Sequence, residues 1–139
     1  HFGLWRGERM SQARAFLGPE WLGHAECAPP RIVCGDFNSM PRSSVYRALA
    51  QRLRDVRIEV KECRARGSFK GWWHLDYIFF DGNIDVTDVQ VPCTAPVRTA
   101  SDHLPVVADF RLRLPGDPGS EPVLPREQTD ASACMPVGE

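Results

Sequence analysis

The chain lacks several features that would place it in a class at once. No apolar run approaches the roughly 18–20 residues needed for a membrane-crossing helix, and no amino-terminal leader is visible. The five cysteines, Cys27, Cys34, Cys63, Cys93 and Cys134, form no Cys-x-x-Cys pair. A zinc ribbon and a dithiol redox site are therefore unsupported, and the odd number argues against a closed disulfide framework. Nothing resembles a helix-turn-helix or a zinc finger, so sequence-specific DNA reading has no support. No stretch repeats. The first residue is not methionine, which makes a processed chain or a fragment the expectation and leaves the compartment open, with the cytoplasm as the default.

What is present is enough for one modest domain: 139 residues and 15.6 kDa can bury a real core. Aromatic and aliphatic residues run from His1 to Leu114, whereas residues 115–139 carry five prolines, three glycines and only scattered apolar side chains. That stretch reads as a disordered or loosely attached tail. The net charge of -1 conceals a division: residues 1–114 hold 16 Lys+Arg and 13 Asp+Glu, net +3, and the tail holds 1 and 5, net -4. A mildly basic body suits a phosphate-bearing substrate and equally suits an ordinary solvated surface.

Periodicity gives a coarse outline. Met10, Ala13 and Leu17 recur at helical spacing, so Glu8 to Leu17 is expected to be a helix, with a shorter helical turn over Glu20 to His24. RIVC, at 31–34, is short and β-branched and reads as a buried strand, with Cys34 as a small buried hydrophobe. Ser43 or Ser44 can cap a helix carrying Val45, Leu49 and Leu53. Arg57 to Val60 is ambiguous, and Lys61 to Trp73 is an excursion. HLDYIFF, at 74–80, is a strand apolar on both faces and so a central one. Asp81-Gly82-Asn83 signals a turn before a strand at Ile84 to Val91 whose alternation is imperfect. Pro92 to Ala100 reads as a loop, and Leu104 to Leu114 as a last strand beginning at an edge because of Pro105. Several strands with two helices imply a layered α/β fold, sheets face to face and helices outside.

The polar residues at the strand ends carry the chemistry. In CGDFNSMP, Asp36 and Asn38 lie two apart where a strand stops, so both can face the same side. Asp76 sits in an apolar strand, where an unpartnered carboxylate costs several kcal/mol or shifts its pKa. Asp102 and His103 stand just before the last strand. Each has a bland alternative: Asp36 or Asp102 as a cap, Asn38 in an Asx turn, His103 as a half-buried hydrogen-bonded histidine, Asp76 paired with Lys70 or a backbone donor.

Taken in order, GDFNSMP, HLDYIFF and SDHLPVVADF resemble the three carboxyl-terminal signature blocks of the DNase-I-like endonuclease/exonuclease/phosphatase superfamily. HFGL, with Glu8, Arg9 and QAR after it, resembles the segment following an earlier strand whose block ends in histidine. The resemblance spans nearly all of residues 1–114. It implies a metal-dependent phosphoesterase on a four-layer α/β/β/α sandwich, of which this chain holds the carboxyl-terminal portion, followed by the tail at 115–139. By the resemblance, Asp36 orients or deprotonates the attacking water, and Asn38 holds a phosphate oxygen or that water. His103 contacts the scissile phosphate and is supported by Asp76, while His1 is a second phosphate-contacting histidine. Asp102, with Asp36, helps bind divalent metal, Mg2+ with Mn2+ as the alternative. The early asparagine and the metal-binding glutamate of the superfamily have no counterpart here, since Glu8 and Glu20 lie in helical contexts. The parent protein is expected to be the enzyme, and an exposed sheet face is expected where the missing amino-terminal half, or a second copy, would pack.

For substrate, Arg64, Arg66 and Lys70 can meet phosphates while Trp72 or Trp73 stacks on a base or sugar, which points to nucleic acid. The bland alternative makes one tryptophan core and the other a surface aromatic. A membrane-lipid phosphoesterase would instead use Trp72, Trp73 and Lys70 as an interfacial patch, which requires the aromatic pair to be exposed. The non-enzyme reading is an inactive or truncated homologue serving as a binding module.

Overall fold

The computed structural model describes residues 1–60, 66–114 and 117. In chain order the elements are α1 (Arg6–Leu17), β1 (Arg31–Asp36), α2 (Ser44–Ala50), β2 (Arg54–Asp55), α3 (Val56–Glu59), β3 (Asp76–Asp81), β4 (Ile84–Gln90), α4 (Ala95–Ala100) and β5 (Val107–Leu112). β3 is the middle strand of an antiparallel sheet ordered β1-β3-β2, and β4 pairs with β5 in a second, two-stranded sheet.

Adjacent residues of a strand point to opposite faces, and β3 uses both. Tyr77 and Phe79 enter a core with Ala13 of α1, Val45 and Leu49 of α2, and Leu53. Phe80 enters the other core with Val56, Ile84 and Val89, against which Ile78 and Phe110 also pack. The rings of Phe80 and Phe110 meet edge to face at 5.9 Å, which joins the two sheets. The layers are therefore helix, sheet and sheet, an α/β architecture with face-to-face sheets as expected.

Local chemistry accounts for the elements. α1 turns Ala13 fully inward with Met10, Phe16 and Leu17 beside it, and begins two residues before the expected Glu8. Ser43 caps α2, its Oγ accepting from the Tyr46 amide at 3.2 Å. Asp55 likewise caps α3 through the Arg57 amide at 3.0 Å. Between Gly18 and His24 the chain forms turns instead of a helix, closed by bonds such as Gly23 N to Gly18 O at 2.9 Å.

Four other expectations need correction. The strand expected from His74 begins at Asp76. The strand expected from Leu104 begins at Val107, because Pro105 cannot donate to a ladder and Leu104 instead gives its amide to Ser68 O at 2.7 Å. Pro92 to Ala100 is not all loop: Ala95–Ala100 is a helix with proline in its first turn, a position where the missing N–H costs nothing. Cys34 is exposed, and Ile32 on the same face is 49% exposed, because the second sheet covers β3 but not β1. The imperfect alternation of 84–91 has a structural cause, a register irregularity between Val86 and Asp88.

The turn Asp81-Gly82-Asn83 does not close a hairpin; it passes the chain from one sheet to the other. Gly82 has φ of +77°, and a Cβ there would lie 2.9 Å from atoms of Pro29 and Pro30, so glycine is required twice over. The proline-rich stretch at 115–139 lies outside the described residues except for Asp117, as do Cys63, Arg64 and Cys134. No helix among the described residues is long and apolar enough to cross a membrane.

Candidate active site

Where β1 ends and β3 begins, Asp36 and Asp76 are paired directly across the sheet. Two carboxylates in facing positions repel one another. The group that offsets this is His103: its Nδ1 lies 2.8 Å from Asp76 Oδ2. Asp36, Asp76 and His103 each present a ligand-capable atom, and these atoms all fall within 4.8 Å of one another. Three segments far apart in sequence thus meet at one sheet end. Asp76 takes the histidine as partner; Lys70 instead places Nζ 5.2 Å from the centre of the Phe69 ring.

Asp36 closes a local turn and also lies beside Asp76 and His103. Its Oδ1 accepts from the Asn38 amide at 2.8 Å, a self-contained Asx turn, and the residue still belongs to the cluster. Asn38 adopts φ of +45°, a conformation asparagine tolerates better than most residues. Its Nδ2 donates to Phe2 O at 2.7 Å, while Phe2 N donates to Asp36 O at 2.8 Å. The amino-terminal segment is therefore tied alongside Asp36 and Asn38, and His1, itself exposed, stands one residue from those bonds.

Ser68 and Phe69, which the sequence did not single out, hold the histidine and Asp76 together. Ser68 is fully buried, and its Oγ accepts from Asp76 N at 3.2 Å and Leu75 N at 3.4 Å. Its carbonyl accepts from Leu104 N at 2.7 Å, next to His103. The Phe69 ring lies 4.9 Å from the imidazole, and Ser101 Oγ accepts from the His103 amide at 3.0 Å. A serine in GSFKG has no local signature for such a role; only the meeting of two distant segments creates it.

Burial alone would push the His103 imidazolium toward neutrality, but the hydrogen bond to Asp76 and the charges of Asp76, Asp36 and Asp102 outweigh it. The pKa is raised above the ordinary value. His74 moves the other way, lowered by burial and by the Arg57 charge despite Asp55. A histidine whose cationic form is favoured by neighbouring carboxylates can bind an anion while a carboxylate orients water.

The donor set suits a hard divalent cation. Asp36 Oδ2 and the Asp102 carboxylate accept no hydrogen bond among the described residues, and Mg2+ is commonly held by one or two carboxylates with water and substrate oxygens completing its shell. Asp102 lies outside the three-residue cluster. It lines an adjoining cleft together with Arg66, Lys70 and Trp72. Neither neighbouring tryptophan is core: Trp72 is 83% exposed and Trp73 55%.

Comparisons with known proteins bear on the family and the fold. The sequence profile described as the endonuclease/exonuclease/phosphatase family matches residues 1–103. No curated protein matches the chain. Among solved structures, the chain is similar to a conserved protein of unknown function from Enterococcus faecalis V583, with a TM-score of 0.67 and 18% identity over 81% of this chain and 48% of that one. It is also similar to an endonuclease/exonuclease/phosphatase from Bacteroides vulgatus, with a TM-score of 0.66 and 22% identity over the same shares, 81% and 48%. The chain spans about half the length of these solved relatives, 48% of each. Residues 1–103 account for most of the chain and include Asp36, Asn38, Asp76 and His103, so the chain belongs to the endonuclease/exonuclease/phosphatase family.

Proposed function

We propose that this protein hydrolyses phosphodiester or phosphomonoester bonds with the help of a divalent metal, and that residues 1–114 supply one wall of the active site. The observation that carries the reading is the convergence of Asp36, Asp76 and His103 at one sheet end, with the His103–Asp76 bond at 2.8 Å.

The attacking water is oriented, and its proton accepted, by the free Oδ2 of Asp36. His103, its cationic form favoured by the bond to Asp76, faces a phosphate oxygen and offsets the charge that builds there. Asn38 has spent one amide N–H on Phe2 O. Its other N–H and its Oδ1 remain to hold a phosphate oxygen or the water. His1 contacts the phosphate from the segment bound alongside. Asp36 and Asp102 would hold the ion, Mg2+ or Mn2+ in its place. When bound, the ion supplies positive charge against the phosphate oxygens.

The uncovered face of β1, with Ile32 and Cys34, is where the rest of the sandwich or a second copy would pack. A second reading, a membrane-lipid phosphoesterase, is favoured by the exposure of both Trp72 and Trp73. The test is hydrolysis by the whole protein with Mg2+ of a small diester, abasic DNA, single-stranded DNA and a phosphoinositide, beside the Asp36→Asn and His103→Ala variants. Loss of turnover in both variants is expected. Unchanged turnover in both would sink the mechanism.

A further inference from the structure

Beside the cluster lies a cleft of about 580 Å3 between the turn that carries Arg66, Lys70 and Trp72 and the segment that carries Arg98 and Asp102. It adjoins the site, since Asp102 precedes His103 and the Lys70 amide is bonded to Asp102 O at 3.3 Å. Cations enter from both walls. Arg31, Arg54 and Arg111 each have a carboxylate partner, in Asp81, Glu59 and Asp85. Arg66, Lys70 and Arg98 have none among the described residues, and all three are exposed. Lys70 is moreover held at φ of +49°, a conformation an L side chain with a Cβ rarely adopts. Strain of this kind is retained where the surroundings require it, often at binding sites.

We propose that this cleft is a second phosphate subsite, that Arg98 with Arg66 and Lys70 holds the phosphate next to the scissile one, and that the ligand is a single polynucleotide strand with a base laid on Trp72. The proposal rests on the phosphoesterase reading and adds a substrate class and a residue, Arg98, to it. Three unpaired cations in one cleft call for an anion carrying more than one phosphate, and a polynucleotide repeats its phosphate at every residue. Trp72 offers a solvent-facing ring, the platform on which bases of any sequence stack. A phosphoinositide headgroup also carries several phosphates, but a lipid needs an apolar landing beside them. Of the large apolar side chains lining the cleft, Leu104 is buried and Trp72 alone is exposed; Trp73, also exposed, does not line it.

The test is equilibrium binding of a fluorescein-labelled oligothymidylate of about eight nucleotides to the whole protein in EDTA, read by anisotropy as salt is varied. Arg98→Glu is expected to weaken binding at least about ten-fold and to reduce the salt slope by about one. Trp72→Ala is expected to weaken it by roughly ten-fold, the size of one stacked base. Arg47→Glu, the same charge change on the exposed side of α2, controls for net charge. If Arg98→Glu binds like Arg47→Glu, the subsite is wrong. It is also wrong if the protein sediments with phosphatidylcholine vesicles containing a phosphoinositide and does not bind the oligonucleotide. Turnover of a small diester separates the two readings: hydrolysis with variant-insensitive oligonucleotide binding overturns the cleft alone, and variant-sensitive binding without any hydrolysis supports the cleft while overturning the phosphoesterase.

Discussion

His103 Nδ1 and Asp76 Oδ2 lie 2.8 Å apart although the residues are 27 positions apart in sequence. Neither residue sits beside the other by local geometry. Asp76 opens β3, and His103 is carried to it by the bonds that Ser68 and Phe69 make to the following segment.

The titration of His103 follows from this pair. Its pKa is raised in the folded protein, because the Asp76 bond and nearby carboxylates overcome burial. Stability from the pair is therefore complete below the unfolded imidazole value of about 6.5 and is lost as pH rises through the folded value. In a proton NMR titration, the His103 ring should show a midpoint above that of a free imidazole, and Asp76→Asn should bring it down. An unmoved midpoint would assign the shift to something other than Asp76.

Ser68→Ala removes the acceptor for two amides while leaving the backbone bond to Leu104 in place. Buried donors left unsatisfied cost about 1–3 kcal/mol. Urea unfolding should show a loss in that range, accompanied by a change in the His103 midpoint, since the Asp76 end of the pair is freed. A loss without any change at His103 would make Ser68 a purely structural residue.

Asp36→Asn should separate activity from stability. It removes one of two facing carboxylates and keeps an oxygen for the Asn38 amide. Phosphoester turnover is expected to fall by about 10²–10⁴, the usual loss of a general base. Thermal unfolding near neutral pH should occur at the same temperature or higher, because the cross-strand repulsion is gone. A clear fall in stability would show that Asp36 serves the fold more than the chemistry.

Phe80→Ala tests the join between the sheets. The ring is fully buried, meets Phe110 at 5.9 Å and lies 4.3 Å from the Arg54 guanidinium. Truncation of such a side chain costs about 3–5 kcal/mol. Hydrogen exchange should reveal loosening of β4 and β5 before the α1–α2 side, whose core does not include Phe80.

Much of this was legible in the chain because it depends on near neighbours. The two apolar faces of DYIFF announced a central strand, Ser43 announced a helix start, and the ordered strand-end blocks marked Asp36, Asn38, Asp76 and His103. The separation of β4 from β3 was not legible: Asp-Gly-Asn is a turn signal in either case, and only packing of Phe80 against Phe110 selects the crossing to a second sheet. Cys34 shows the same limit. A strand pattern states which side chains share a face, but whether that face is covered depends on which other sheet reaches it.

The sequence by itself determined which residues carry charge, where strands stop and which side chains share a face, because those follow from residue chemistry and the fixed periods of the backbone. Tertiary structure alone decided that Asp76 pairs with His103 and not Lys70, that Ser68 supports both partners, and that three cations without a carboxylate partner among the described residues border one cleft. Hydrogen bonds and charge act over a few ångströms of space, and only the folded chain brings residues tens of positions apart within that reach.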